Sequence, residues 1–150
     1  MTTIVYRKLP NGYELAADGR IVRGDEIVSD NAIKIFKWKH GWFAGAGKTE
    51  NIEAARQWLN QGQDEAGKPK LKSFNSIVIE DDDEGSYCPY MMDENLVMLP
   101  IEDDYYATGV GWVPALAALM CGKTAKEAVQ IASKISACTG GKIKVVRVVE

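Results

Sequence analysis

The stretch Trp42-Phe43-Ala44-Gly45-Ala46-Gly47-Lys48-Thr49-Glu50 (WFAGAGKTE) carries an apolar run through two glycines into a polar, helix-forming one. Gly47-Lys48-Thr49 has the ending of a phosphate-binding loop. That loop, G-x-x-x-x-G-K-[ST], needs an earlier glycine to start the turn that aims backbone N–H groups at phosphates, and counting back from Gly47 places Trp42 there. Gly45 is too close to stand in for it. A strand that runs into Gly-Ala-Gly and then a helix therefore has to serve something other than a nucleotide.

On either side of this stretch the hydrophobic period changes. Before it, strand signals dominate: Thr2 to Arg7, the hairpin turn Asn11-Gly12, Tyr13 to Asp18, Ile27-Val28, Ile33 to Trp38 and Trp42 to Ala46. Lys39-His40-Gly41 turns the last pair. After it, Ile52, Ala55 and Leu59, flanked by Trp58, predict an amphipathic helix over 49–61. The polar, Pro/Gly-containing segment 62–73 (GQDEAGKPKLKS) reads as a long loop. Phe74 to Glu80 and Tyr87 to Met92 form a hairpin around the acidic run 81–84, followed by a short strand over 96–99. The acidic run lacks the glycine and glutamate of a calcium-binding loop, with Ser86 and Met92 in those places, so it reads as a solvated turn. Two helices come next, 112–121 with Pro114 in its first turn and 124–135 opened by a Thr124/Glu127 capping box. In the second of these, Ala128, Ile131, Ala132 and Ile135 are the expected buried stripe. Lys142 to Val149 closes the chain as a strand. The order predicts an α+β domain of two antiparallel sheets stacked face to face with helices outside.

Composition narrows the chemistry. The 150 residues suit one domain spanning 1–150, and such a domain buries roughly 70% of its unfolded surface. A formal charge of −3 argues against a nucleic-acid grip. There is no run of about 18 apolar residues to span a bilayer and no signal-peptide core, so a cytoplasmic protein without a membrane partner is expected. Cys88, Cys121 and Cys138 are read as reduced, mostly buried thiols. His40 is the only histidine and sits at a hairpin tip, which removes multi-histidine metal sites and leaves histidine-based triads a single turn residue to use. No metal and no cofactor is expected.

Without histidine, one residue can still furnish both nucleophile and base. If Met1 is removed, Thr2 presents a hydroxyl together with an α-amine whose reference pKa of about 7.7 to 8.0 suits a general base near neutrality. Around it, Thr2-Thr3-Ile4-Val5, Ala17-Asp18-Gly19-Arg20, Ile33-Lys34-Ile35, Ala46-Gly47, Ala107-Thr108-Gly109-Val110-Gly111 and Thr139-Gly140-Gly141 follow one another along nearly the whole chain. In this order they resemble proteasome β subunits and HslV-type peptidases. The compact size and the opening are closer to HslV and its phage or bacterial relatives than to a eukaryotic subunit.

The resemblance implies the four-layer αββα fold of N-terminal nucleophile hydrolases. It also implies a threonine peptidase acting on polypeptide within a homo-oligomeric ring whose active sites face an enclosed chamber, with an AAA+ unfoldase as the possible partner. Carried over residue by residue, Thr2 is the nucleophile and Lys34 the cation that keeps the amine a neutral base. Asp18 orients Lys34, and the Gly47 N–H is the oxyanion donor, a role that contributes about 3 to 4 kcal/mol to a transition state. Gly45 falls near the lining of the family's specificity pocket, and Arg20, just past Asp18, is assigned with it to substrate binding. Three departures accompany the match. Val110 replaces a serine that supports the threonine amine, Ser136 replaces an acid, and the loop 62–73 stands where a second helix runs, so the outer helical layer should be thinner there. That layer helps form subunit and unfoldase contacts, so ring size and ATPase partner do not carry over. Val110 and Ser136 keep open a second reading, a catalytically inactive assembly or binding module, and a third is a non-proteolytic amidohydrolase on the same fold.

Overall fold

The computed structural model describes residues 2–149. Strand β1 (Thr3–Leu9) lies between β10 (Tyr105–Gly109) and β2 (Gly12–Ala17), and β11 (Lys144–Val149) completes a four-stranded antiparallel sheet in the order β10-β1-β2-β11. A second antiparallel sheet runs β5-β6-β7-β8-β9, from β5 (Ile35–Trp38) and β6 (Gly41–Ala46) through β7 (Asn75–Asp81) and β8 (Tyr87–Asp93) to β9 (Met98–Pro100). Helix α1 (Thr49–Asn60) covers the second sheet; α2 (Trp112–Met120) and α3 (Ala125–Ile135) cover the first.

The strand period of two sorts side chains between layers. Along β1, Ile4 and Tyr6 point between the sheets, where they meet Tyr13, Leu15, Ile35, Ile77 and Ile79, while Val5 points the other way, toward the alanine-rich faces of α2 and α3. Small residues at Ala115, Ala118, Ala128 and Ala132 let those helices lie close to the sheet. Beneath α1 the filling is aromatic, with Trp38, Phe43, Trp58 and Phe74 around Ile52 and Leu59. These are the αββα layers expected from the sequence. The helical layer over β5 to β9 holds α1 and only a short 3-10 turn, Glu65–Gly67, within the segment 62–73.

Several expectations need correction. Two strands were not foreseen: β10, whose Ala107-Thr108-Gly109 was read only as part of a motif, and β3 (Ile21–Arg23), which pairs with β4 (Glu26–Ser29) as a separate ribbon. The strand expected at 96–99 begins later, because Leu96 is a left-handed turn residue (φ 58°) with its side chain buried under α1. The capping box of α3 is present, but its buried stripe is Ala125, Ala128, Val129 and Ala132, and Ile135 is 70% exposed at the last turn. Trp58 is core, with its indole N–H donating to the Asp64 carbonyl at 2.9 Å. The thiols are not mostly buried: Cys88 and Cys121 are exposed and Cys138 is half-buried, because they fall on an outward strand position, a helix end and a loop. Among the described residues, no helix is long and apolar enough to cross a membrane.

Candidate active site

Thr2 lies just ahead of β1, and its neighbours are fixed by backbone pairing before any side chain is considered. Thr3 pairs with Gly109 on one side, and on the other its carbonyl accepts the Asp18 N–H at 3.2 Å, so β1 enters the sheet held from both edges. The Thr2 carbonyl accepts the N–H of Val110 at 2.8 Å. Beneath that carbonyl is Gly109, with φ +101°; a Cβ there would sit 1.8 Å from the Thr2 oxygen. Only glycine satisfies both the backbone angle and the approach.

Asp18, at the end of β2, is buried and gathers four donors. Its Oδ1 accepts from Lys34 Nζ at 2.9 Å and from the Thr3 N–H at 3.0 Å, and its Oδ2 from the Gly140 N–H at 3.1 Å and the Arg20 N–H at 3.4 Å. Lys34, immediately before β5, is also buried and donates a further bond to the Arg20 carbonyl. Burial pushes the Lys34 ammonium below the ordinary lysine range, and the Asp18 carboxylate opposes that shift through charge and hydrogen bond. The result is a desolvated cation that Asp18 and the Arg20 carbonyl help to position and whose field is little screened by water.

Thr2, Lys34 and Gly47 open onto one cavity of about 770 Å³. Val22, Ile33, Phe36 and Ile52 give it apolar walls, while Arg23, Lys48 and Glu50 bring charge to its surface. Gly47 follows β6 with φ +129°, between the strand and α1, as the opening stretch requires. Arg20 also borders the cavity, but its guanidinium is engaged: Nε and Nη2 reach the two carboxylate oxygens of Asp30 at 2.8 and 3.4 Å, and Nη1 reaches the Ala137 carbonyl at 3.0 Å. That pairing holds the Asp30 carboxyl below its usual range. Gly45 is set back from the cavity wall; a Cβ there would meet the Ile52 side chain at 2.9 Å, so its smallness makes room for Ile52, and Ile52 faces the cavity.

Two further residues complete the support. The Thr3 hydroxyl accepts the Gly111 N–H at 3.0 Å and shares a 2.8 Å hydrogen bond with the Thr139 hydroxyl, both buried. Thr3 and Thr139 stood in recognised motifs, yet nothing in either motif indicated that they pair. Val110, in the place of a serine, contributes its backbone N–H while its side chain is 46% exposed. Ser136, in the place of an acid, is the C-terminal cap of α3, and its carbonyl accepts the Thr139 N–H at 3.1 Å. The expected removal of Met1 concerns a residue outside those described.

No family model matches the sequence, and no curated protein sequence matches it. Among solved structures, eukaryotic HslV from Trypanosoma brucei aligns with a TM-score of 0.79 over 99% of this chain and 99% of that one, at 18% identity. The chain has the HslV fold. This is the proteasome β-type arrangement of two antiparallel sheets between helices. At that identity the likeness is one of architecture, and what the HslV-like scaffold does in this chain has to be argued from its own cavity.

Proposed function

We propose that this HslV-like chain is a threonine-type peptidase in which Thr2, with the residue ahead of it removed, attacks peptide bonds. The hydroxyl is the nucleophile, the freed α-amine accepts its proton, and the Gly47 N–H stabilises the oxyanion. The single observation that carries the reading is the convergence of Thr2, Lys34 and Gly47 on one cavity, with Lys34 held by buried Asp18. A nearby ammonium disfavours a second positive charge, which keeps a terminal amine neutral and basic. The apolar walls of Val22, Phe36 and Ile52 suit an apolar side chain next to the attacked carbonyl. Assembly into a homo-oligomeric ring, an AAA+ unfoldase partner and a cytoplasmic location belong to the same proposal.

Thr2→Ala removes the hydroxyl and leaves a buried methyl. It is expected to abolish peptide hydrolysis, measured with a fluorogenic peptide, while the unfolding midpoint stays close to the parent's. Unchanged turnover would end the catalytic reading. The exposed Val110 side chain favours a second reading, an inactive assembly or binding module on the same fold, for which neither protein would turn over peptide.

A further inference from the structure

The segment 62–73, the long loop that stands where the resembled family runs a second helix, ends in an unusual residue. Ser73 is a non-glycine residue in the left-handed region (φ 53°) and borders the Thr2 cavity. Left-handed conformations cost a side-chain-bearing residue free energy and persist only where the surroundings impose them. Three contacts do so here. The Ser73 N–H donates to Glu94 Oε2 at 2.8 Å, a charge-assisted bond from the β8–β9 turn. The carbonyl of the preceding Lys72 accepts from Asn51 Nδ2, in the first turn of α1, at 2.7 Å. The following residue, Phe74, is buried beneath α1 and packs at a tilt against Phe43 with ring centroids 6.3 Å apart.

What this clamp holds is the Ser73 carbonyl, and that carbonyl lies against Gly47. β6 and β7 pair as far as Ala46 and Asn75, so the next step along the register brings Gly47 beside the 73–74 peptide. A Cβ on Gly47 would sit 2.5 Å from the Ser73 oxygen. The main chain at Gly47, with φ +129°, is therefore confined on one side by a strained peptide fixed by residues from two other elements.

We infer that Ser73, held by Glu94 and Asn51, is a positioning residue that fixes the Gly47 peptide plane and so aims its N–H at the cavity. The inference rests on the peptidase reading, in which that N–H is the oxyanion donor. The role belongs to the Ser73 backbone. A glycine adopts the same angle without strain, whereas a β-branched side chain resists it.

The test uses four single variants in the full chain: Glu94→Ala, Glu94→Gln, Ser73→Gly and Ser73→Val. Each is read by kcat and KM on a fluorogenic peptide, by the amide resonance of Gly47 in a 15N–1H spectrum, and by the unfolding midpoint. Glu94→Ala and Ser73→Val are expected to lower kcat about tenfold with KM nearly unchanged, as befits a donor used in the transition state, and to move the Gly47 resonance. Glu94→Gln keeps an acceptor and Ser73→Gly keeps the backbone angle, so both should stay within about threefold of the parent kcat. A Glu94→Ala protein that folds with parental kcat and an unmoved Gly47 resonance overturns the inference, as does a Glu94→Gln protein as impaired as Glu94→Ala. If the parent shows no Thr2-dependent hydrolysis, the peptidase reading has failed, and the Gly47 resonance alone then decides whether the clamp exists.

Discussion

At the scale of single residues, the account turns on a lysine that is charged where charge is costly. Lys34 is 4% exposed and bonded to a buried carboxylate, so truncating it leaves Asp18 desolvated without its ion partner. Breaking a buried pair from one side typically costs about 3–5 kcal/mol. Lys34→Met is therefore expected to lower the unfolding free energy by about that amount in urea titrations and to abolish hydrolysis. The pH dependence has a definite sign. Because burial holds the folded-state ammonium below its ordinary value of 10.5, the unfolded chain binds the extra proton in the intervening window, and stability rises as pH climbs through it. Lys34→Met should remove that rise. Asp18, Lys34 and Gly47 were legible in the sequence because each stands in a short local motif. The Thr3–Thr139 hydroxyl pair was not, since its partners are 136 residues apart and meet only once the β10–α2 turn and the 139–141 loop close over β1. Nor was the occupation of Arg20 by Asp30, because a charged residue in a loop gives no sign of which opposite charge the fold will bring to it.

Between elements, the site depends on turns more than on strands. The β10–α2 turn cradles Thr2 through Gly109 and the Val110 N–H, and it leaves no space for a methyl group at position 109. Gly109→Ala imposes both a left-handed alanine and an overlap with the Thr2 carbonyl. It should cost at least the roughly 1–3 kcal/mol of a strained backbone residue, read from the urea midpoint, and displace Thr2 enough to lose hydrolysis. Helices were easier to read than strands. A 3.6-residue period over a long stretch, or a capping box such as Thr124/Glu127, is a local signal, whereas Tyr105–Gly109 is short, ends in glycine and becomes a strand by pairing with β1. Ser73 and Leu96 escaped for a related reason: neither residue type favours φ above zero, and the conformation is imposed by neighbours distant in sequence.

Across the whole molecule, the layer between the sheets couples stability to alkaline pH in the opposite direction to Lys34. Tyr6 and Tyr13 are buried there, Tyr13 donating to Asp81 at 3.1 Å and Tyr6 sharing a 3.3 Å bond with the Tyr87 hydroxyl. Desolvation first, then the neighbouring Tyr87 for Tyr6 and Asp81 for Tyr13, push both phenols well above their ordinary value of 10.0. A raised folded-state pKa gives stability that is full below the unfolded value and is lost as pH rises beyond it. The rise contributed by Lys34 is complete near its ordinary value of 10.5, whereas the loss contributed by the tyrosines continues beyond it, so the urea midpoint should fall above about pH 10.5, and Tyr13→Phe should shallow that fall. The layered architecture itself was readable from the order of elements and the alternation of apolar residues, because both follow from which faces must be buried.

The most direct test of the central claim is to treat protein purified from its native host with a threonine-directed peptide electrophile and map the adduct by mass spectrometry. The account requires a chain that begins at Thr2 and carries one adduct on that residue, with none formed in the Lys34→Met variant. A chain that keeps a residue ahead of Thr2, or an adduct found elsewhere while Thr2 stays unmodified, would contradict it.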